Sequence, residues 1–343
     1  MNKINWGILG LGEVAQKFSE GFKETSNAKL LAISSKNDNK LKKFKDQFNI
    51  ESKYSFNNYE ELINCKDLDI VYISLPNSFH HEWSIKSIEN NKNVLVEKPA
   101  TLNLKQAHNI NLSLKDKNLF YGEAFMYRYH PQINLLLKII KNNEIGNLVS
   151  LKSSFGINLL TKKKFFFFNK KKKINPQNRL FNKELGGGCI LDLGCYPISF
   201  SLLIGSMITN ILENKFKILD TRKEINETFV DIDAQAKITL ENGFFSEISS
   251  SFKKNLGENS EIKGEKGKIL IKNTWSGSEN IIRINNKNIS ETIKIENKKN
   301  IYSYQIQNVS QSIIDGAFSP QYPGMSLKET LINMELIDEW LNA

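Results

Sequence analysis

Ile4-Asn5-Trp6-Gly7-Ile8-Leu9-Gly10-Leu11-Gly12-Glu13-Val14-Ala15 is the stretch that decides the fold. Ile4 to Leu9 reads as a buried strand, and the glycines after it break that strand at a turn opening a helix. In this setting G-x-G-x-x-A is a dinucleotide fingerprint. Gly10 and Gly12 permit a tight turn and the close approach of a pyrophosphate, and the small Ala15 lets the helix pack on the strand. The helix N-terminus offers unpaired N–H groups to that pyrophosphate. Gly10, Gly12, Glu13, Val14 and Ala15 are therefore candidate cofactor-binding residues.

Outward from this stretch the chain keeps the rhythm of a parallel sheet with covering helices. Strands are expected at Leu30 to Ser34, Ile70 to Leu75, Val94 to Val96 and Leu119 to Tyr121, with helices at Val14 to Lys23, Leu41 to Phe48, Glu82 to Glu89 and Leu104 to Leu114. Beyond Glu123 the rhythm changes. Helices are expected at Gln132 to Lys141 and Asp192 to Leu203, and extended runs with turn signals fill about 215 to 284, the pattern of an antiparallel sheet. Two amphipathic helices, Tyr302 to Asp315 and Ser326 to Leu341, close the sequence. The fold expected is α/β: an N-terminal Rossmann domain over 1–122, and a C-terminal α+β domain with an open, mainly antiparallel sheet over 123–343. The last helix is expected to pack back on the first domain. Pro197 cannot continue a regular helix interior, so the 192–203 segment should start late or kink there.

Bulk properties narrow the function. At 343 residues, with 40% apolar and 24% charged side chains, the chain has the size and composition for two globular cores. Its net charge of +10 comes from lysines spread along the whole sequence beside abundant Asn and Ile. That distribution reads as a solvated Lys-rich surface rather than a nucleic-acid footprint. Four phenylalanines at 165–168, flanked by lysines at 162–164 and 170–173, read as a lengthened loop near the substrate. Cys65, Cys189 and Cys195 form no C-x-x-C pair, and no His cluster has metal spacing, so neither a metal site nor a disulfide framework is expected. A strand begins almost at the first residue, which leaves no room for a secretion signal. Apolar runs such as 197–208 are too short for a membrane span, so a cytoplasmic setting without a membrane is expected.

The place where an acidic residue would bind a ribose 2′-hydroxyl reads Ser34-Ser35-Lys36-Asn37-Asp38. Ser35 can hydrogen-bond a 2′-phosphate and Lys36 can pair with it. NADP is the expected cofactor, and Asp38 keeps NAD open. Two further motifs carry chemistry: Glu97-Lys98-Pro99 at a strand end, and Gly186-Gly187-Gly188-Cys189-Ile190-Leu191-Asp192-Leu193-Gly194-Cys195-Tyr196-Pro197. The glycines let the backbone come close to a ligand, and a Lys, an Asp and a Tyr are the groups needed for proton transfer at a carbinol oxygen.

The fingerprint, Glu97-Lys98-Pro99 and the 186–197 segment together resemble the glucose–fructose oxidoreductase/inositol dehydrogenase (Gfo/Idh/MocA) family, in order and spacing across nearly the whole chain. The segment Glu123-Ala124-Phe125-Met126-Tyr127-Arg128-Tyr129-His130-Pro131 is similar to the branch of dihydrodiol dehydrogenases and NADP-dependent D-xylose dehydrogenases, with the NDP-sugar 3-ketoreductases the nearest alternative. The resemblance implies catalytic roles for three residues: Lys98 polarises the reacting oxygen, Tyr196 is the general acid/base, and Asp192 orients substrate or tunes the pair. Leu75-Pro76-Asn77 resembles the family's nucleotide-lining turn, making Pro76, Asn77, Glu97 and Lys98 further cofactor contacts. His80 and His81 are read only as helix-terminus residues. Arg128, His130 and Arg179 are candidate substrate-binding residues. The activity implied is hydride transfer to or from a secondary alcohol or ketone of a sugar, polyol or diol; a non-catalytic cofactor sensor is the alternative of another class. A homodimer or higher homo-oligomer is expected, on the argument that bare apolar sheet surface invites pairing.

Overall fold

In the computed structural model, which describes residues 3–164, 168–210, 216–241, 243–277, 279–296 and 299–343, the N-terminal strands form one parallel sheet. They are β1 (Ile4–Leu9), β2 (Ala28–Ser34), β3 (Ser55–Phe56), β4 (Ile70–Ile73), β5 (Asn93–Val96) and β6 (Tyr121–Glu123), in the order β3-β2-β1-β4-β5-β6. The chain thus winds outward on one side of β1 and returns to the other for β4. The carboxyl ends of β1 and β4 flank the switch point, where sheets of this kind bind ligands. The intervening helices are α1 (Glu13–Gly21), α2 (Asp38–Phe48), α3 (Tyr59–Ile63), α4 (His80–Glu89) and α5 (Leu104–Ser113). Ile70, Val71, Tyr72 and Ile73 are all inaccessible to solvent, as continuous burial on both sheet faces requires. Side chains alternate between two cores: Ile8 and Tyr72 enter one, Leu9, Val71 and Ile73 the other.

The chain divides into two compact units, Met1–His130 with Lys298–Leu331, and Pro131–Asn297 with Ile332–Ala343. The division falls at His130 rather than at residue 122. The returning segment is chiefly the penultimate helix, Ile301–Ile314, not the last one alone. Its Tyr302, Ile306 and Val309 share a core with Trp6 and Phe18, and Trp6 Nε1 donates to Ser310 Oγ at 3.0 Å. An amphipathic helix shows a face in sequence but not the sheet that it covers.

The second unit opens with α6 (Pro131–Lys141) and β7 (Leu148–Gly156). The short antiparallel pair β8 (Thr161–Lys164) and β9 (Phe168–Lys171) follows; of the Phe-rich loop expected at 165–168, positions 165–167 lie outside the described residues. Then come α7 (Cys195–Gly205) and the strands β10 (Lys217–Ile225), β11 (Asp231–Thr239), β12 (Phe245–Ser251), β13 (Ser260–Gly264), β14 (Gly267–Ile271), β15 (Asn280–Asn285) and β16 (Ser290–Lys294). Numbering ends with α8 (Ile301–Ile314) and α9 (Leu327–Asn342).

The large sheet runs β10-β11-β12-β7-β13-β14-β15-β16 and is antiparallel except where β12 meets β7. Ile232, Ala234, Ala236 and Ile238 bury one face of β11. The opposite face presents Gln235, Lys237, Glu247, Lys152 and Lys263. This face is mixed: the register sets the exposed Leu219 beside Lys237 and places the half-buried Phe245, Leu270 and Ile282 among the charged residues; Ile225 and Phe229 stand exposed on the edge strand β10 and its hairpin.

The helical run Lys183–Gly205 is, among the described residues, long and apolar enough to cross a membrane, which corrects the reading that such stretches are too short. Its most apolar window is 89% buried inside the protein. Every residue of α7 is buried, which is why the run is apolar all round. Pro197 is accommodated by a π-turn, Ile190–Gly194, directly before α7. The π-turn runs straight into α7, so Pro197 sits within a continuous helical run, and the altered bonding ladder just before it is what absorbs the missing N–H.

Candidate active site

In the first unit the candidate cofactor residues gather at the carboxyl edge of the parallel sheet. Gly10 follows β1, Ser35 follows β2, Pro76 and Asn77 follow β4, and Glu97 and Lys98 follow β5. Gly10 adopts φ +87°, a conformation that favours glycine, and a Cβ there would lie 2.7 Å from Leu75 Cδ2. Ser74 Oγ donates to the Gly10 carbonyl at 2.7 Å, fixing the turn to β4. A Cβ on Gly12, by contrast, meets nothing within 4 Å. Space therefore stands open at the N-terminus of α1, where Gly12 is the N-cap and Glu13 begins the helix, while Ala15 is fully buried and Val14 half-buried. These residues fit a dinucleotide pyrophosphate.

Ser35 is buried and stiffly held: its N–H donates to the Phe56 carbonyl at 3.1 Å, and its Oγ accepts from the Asn37 N–H at 3.1 Å. Lys36 is exposed, with Nζ 5.4 Å from the centre of the Tyr59 ring. Asp38 starts α2, capped by the Asn37 side chain.

Glu97 is buried and accepts a hydrogen bond from the Tyr72 hydroxyl. Tyr72 is itself stacked on Phe18, ring centres 3.7 Å apart. Lys98 is half-buried, and its peptide bond to Pro99 is cis. Asn77 is buried at the start of a short 3-10 turn that leads into α4.

Two of the substrate-side candidates turn inward. Arg128 is fully buried and pairs with Glu329, Nη1 to Oε1 at 2.8 Å; this ion pair, with a further contact to the Pro323 carbonyl at 3.3 Å, makes it a structural group rather than a substrate ligand. His130 is also fully buried, edge-on to Tyr304 at 5.8 Å between ring centres, which leaves its ring no open face for substrate.

In the second unit the glycine segment is laid down tightly. Gly187 donates to the Asn182 carbonyl at 2.9 Å and Gly188 to the Leu180 carbonyl at 3.0 Å, and a Cβ on Gly187 would meet three carbonyl oxygens at 2.8 Å. The π-turn that follows carries Asp192, and Arg179 Nη1 lies 3.1 Å from Asp192 Oδ1. Arg179 is 46% exposed at the side chain and Asp192 12%, so this pair remains within reach of solvent. Tyr196 lies in the first turn of α7, its ring 5.3 Å from Phe155 and 5.4 Å from Trp275. Cys195 is buried, its Sγ 3.8 Å from the Asp192 carbonyl, the position of a packed thiol.

Four buried residues, Tyr72, His80, Glu123 and Asp231, carry no site role in the sequence reading. Tyr72 interrupts an otherwise aliphatic strand, which is a local signal; His80 shows in the sequence only as a helix-terminus residue. Glu123 was quoted without a role, and Asp231 carries no local mark at all. Among the described residues no group of His, Cys, Asp and Glu is placed to hold a metal ion.

Comparison with known proteins accords with this geometry. A family model described as an oxidoreductase family with an NAD-binding Rossmann fold matches residues 4–125. The GFO/IDH/MocA C-terminal domain matches residues 133–270, so together the two span most of the chain. The chain is 26% identical over 345 residues to trans-1,2-dihydrobenzene-1,2-diol dehydrogenase of Xenopus tropicalis, covering 98% of this chain and 96% of the relative. It is 27% identical over 247 residues to D-xylose 1-dehydrogenase (NADP(+)) 2 of Haloferax volcanii, covering 72% and 69%. Its fold is similar to the crystal structure of KijD10, a 3-ketoreductase from Actinomadura kijaniata in complex with NADP and TDP-benzene, with a TM-score of 0.82, 21% identity and coverage of 98% and 96%.

Proposed function

The chain belongs to the Gfo/Idh/MocA oxidoreductase family, and from that premise we propose that it is an NADP(H)-dependent dehydrogenase or reductase of a sugar, polyol or diol. The observation that carries this reading is the Gly10-x-Gly12 turn at the switch point of a β3-β2-β1-β4-β5-β6 sheet, with Lys98 at the end of β5. Gly10, Gly12 and the first turn of α1 hold the pyrophosphate, and Pro76, Asn77 and Glu97 line the nucleotide. Ser35 and Lys36 take the 2′-phosphate; the name of the Haloferax relative supports the same cofactor. The nicotinamide supplies or accepts the hydride.

The chain's own residues handle the oxygen and its proton. Lys98 holds the reacting oxygen and favours its anionic form. Tyr196 gives or takes the proton at that oxygen. Asp192, with Arg179 beside it, orients the substrate hydroxyls. A carbohydrate-like substrate is supported by the relatives' names. A homo-oligomer is supported by the exposed Leu219 and Ile225 on β10 and Phe229 on its hairpin, and a reducing, cytoplasmic setting by three free cysteines.

The test is a fluorescence titration with NADPH and NADH, followed by absorbance at 340 nm with aldoses, inositols, diols and nucleotide-sugars. NADPH binding with turnover of an aldose or diol is the expected result. Turnover confined to nucleotide-sugars moves the substrate class to the 3-ketoreductases. Binding of neither cofactor overturns the reading.

A further inference from the structure

We propose that His80 and Glu123 are positioning residues for Lys98, which hold the Pro99–Ala100 peptide from its two ends; the proposal rests on the catalytic role just given to Lys98. His80 Nδ1 lies 2.8 Å from the Pro99 carbonyl oxygen, and Nε2 lies 2.8 Å from the Leu75 carbonyl oxygen. At the other end of the same peptide, the Ala100 N–H donates to Glu123 Oε1 at 3.0 Å. Glu123 Oε2 in turn accepts from the Thr330 hydroxyl at 2.8 Å. His80 is 1% exposed and Glu123 0%, so water does not compete for these bonds.

The chemistry of the acceptors sets what the ring must supply. Both atoms facing His80 are carbonyl oxygens, which only accept. A neutral imidazole carries a single N–H and can donate to only one of them, so donation to both oxygens requires the doubly protonated imidazolium. The peptide's own polarity matches its surroundings: its oxygen faces the ring nitrogen and its N–H faces the acid. The same ring also joins two turns. Leu75 precedes Pro76 and Asn77, placed at the nucleotide, and Pro99 follows Lys98. His80 therefore ties the cofactor turn to the backbone frame of the lysine. Lys98 has a flexible four-carbon stem, so the frame is what a fold can fix. A displacement of about 1 Å at a reacting group can cost on the order of a hundredfold in rate.

Two measurements on the full-length protein test the arrangement, one of them independent of turnover. In ¹⁵N NMR at neutral pH the His80 ring is expected to show both nitrogens protonated, and the Ala100 amide to exchange slowly, with exchange accelerated in Glu123→Ala. A neutral His80 ring, or a fast Ala100 amide in the parent protein, overturns the proposal whether or not a substrate is known. In turnover assays with NADPH, His80→Asn and Glu123→Ala are each expected to lower kcat about ten- to a hundredfold, with KM changed less than about threefold. Glu123→Gln, which keeps an acceptor for Ala100, is expected to restore most of the loss. In a Lys98→Met background His80→Asn should cause no further loss, because both act through the same lysine. Unchanged kcat per folded molecule in both variants, or a full further loss in the Lys98→Met background, overturns it. If the parent protein turns over nothing, the proposed function fails, and the NMR result still decides the positioning.

Discussion

The backbone N–H of Ile190 donates to Asp231 Oδ2 at 2.6 Å, so a buried carboxylate on β11 holds the first residue of the π-turn that carries Asp192. The fit leaves no slack. A Cβ on Gly188, at φ +115°, would lie 2.4 Å from Asp231 Oδ1. Burial pushes the Asp231 carboxyl above its ordinary range, and the Ile190 N–H pulls the other way. Asp231→Ala strands that N–H in a dry site and is expected to cost about 1–3 kcal/mol. Asp231→Asn keeps the acceptor and should remain within about 1 kcal/mol of the parent. Urea unfolding of the two variants decides; equal stability would mean that the bond holds nothing.

The two fingerprint glycines should respond differently to the same small change. Gly12→Ala places its methyl group in open space, so stability without ligand should hold while NADPH affinity falls at least about tenfold through loss of close approach. Gly10→Ala must occupy φ +87° and press on Leu75 and the Ser74 carbonyl, so it should destabilise the fold itself by a few kcal/mol. Thermal melts with and without NADPH separate the two effects.

What was legible in the sequence follows from the range of the forces involved. β1 was read to the residue, because its apolar run and the glycines that end it are local. β6 was expected at Leu119 to Tyr121 and lies at Tyr121–Glu123. Its register is set by pairing with β5, which puts Glu123 opposite Val96, a buried acid that no hydrophobicity pattern anticipates. The two-residue β3 and the single-turn α3 were missed for want of length. Lys98, Asp192 and Tyr196 were legible as motifs. His80, Glu123 and Asp231 were not, because each is placed by a hydrogen bond to a backbone atom 19, 23 or 41 residues away.

Burial is the largest influence on Glu123 and pushes it up to about 7; the Thr330 hydroxyl, the Ala100 N–H and Arg128 lower it, and Glu97 raises it. The folded protein therefore binds this proton more tightly than the unfolded chain does. Between about pH 4.5 and 7 stability should fall as pH rises, by at most about 3 kcal/mol from this group. Above pH 7 the contribution is flat. Glu123→Gln carries no titratable proton, so the difference between parent and variant in urea midpoint should vary across pH 5 to 7 and level off above. A constant difference over that range would show that Glu123 titrates normally.

Lys98→Met tests whether the chain is an enzyme or a cofactor sensor. Methionine keeps length and burial but removes the charge proposed to hold the reacting oxygen. The expected outcome is a loss of several orders of magnitude in kcat with NADPH binding retained within a few-fold. A variant that keeps its turnover would remove Lys98 from the chemistry and favour a sensing role.

Cofactor preference should rest on the turn after β2. Ser35 offers a hydroxyl held by the Asn37 N–H, and Lys36 stands exposed beside it. Both suit a 2′-phosphate, one as donor and one as point charge. Ser35→Asp puts a carboxylate where the phosphate would lie and gives a ribose 2′-hydroxyl an acceptor. Like charges repel, so the substitution works against NADPH as well as for NADH. The ratio of NADPH to NADH affinity is expected to drop by at least about a hundredfold, and Lys36→Ala alone to lower it about tenfold and to weaken its salt dependence. Fluorescence titrations at two ionic strengths read both effects. If Ser35→Asp leaves the ratio unchanged, the 2′-phosphate is not bound at this turn.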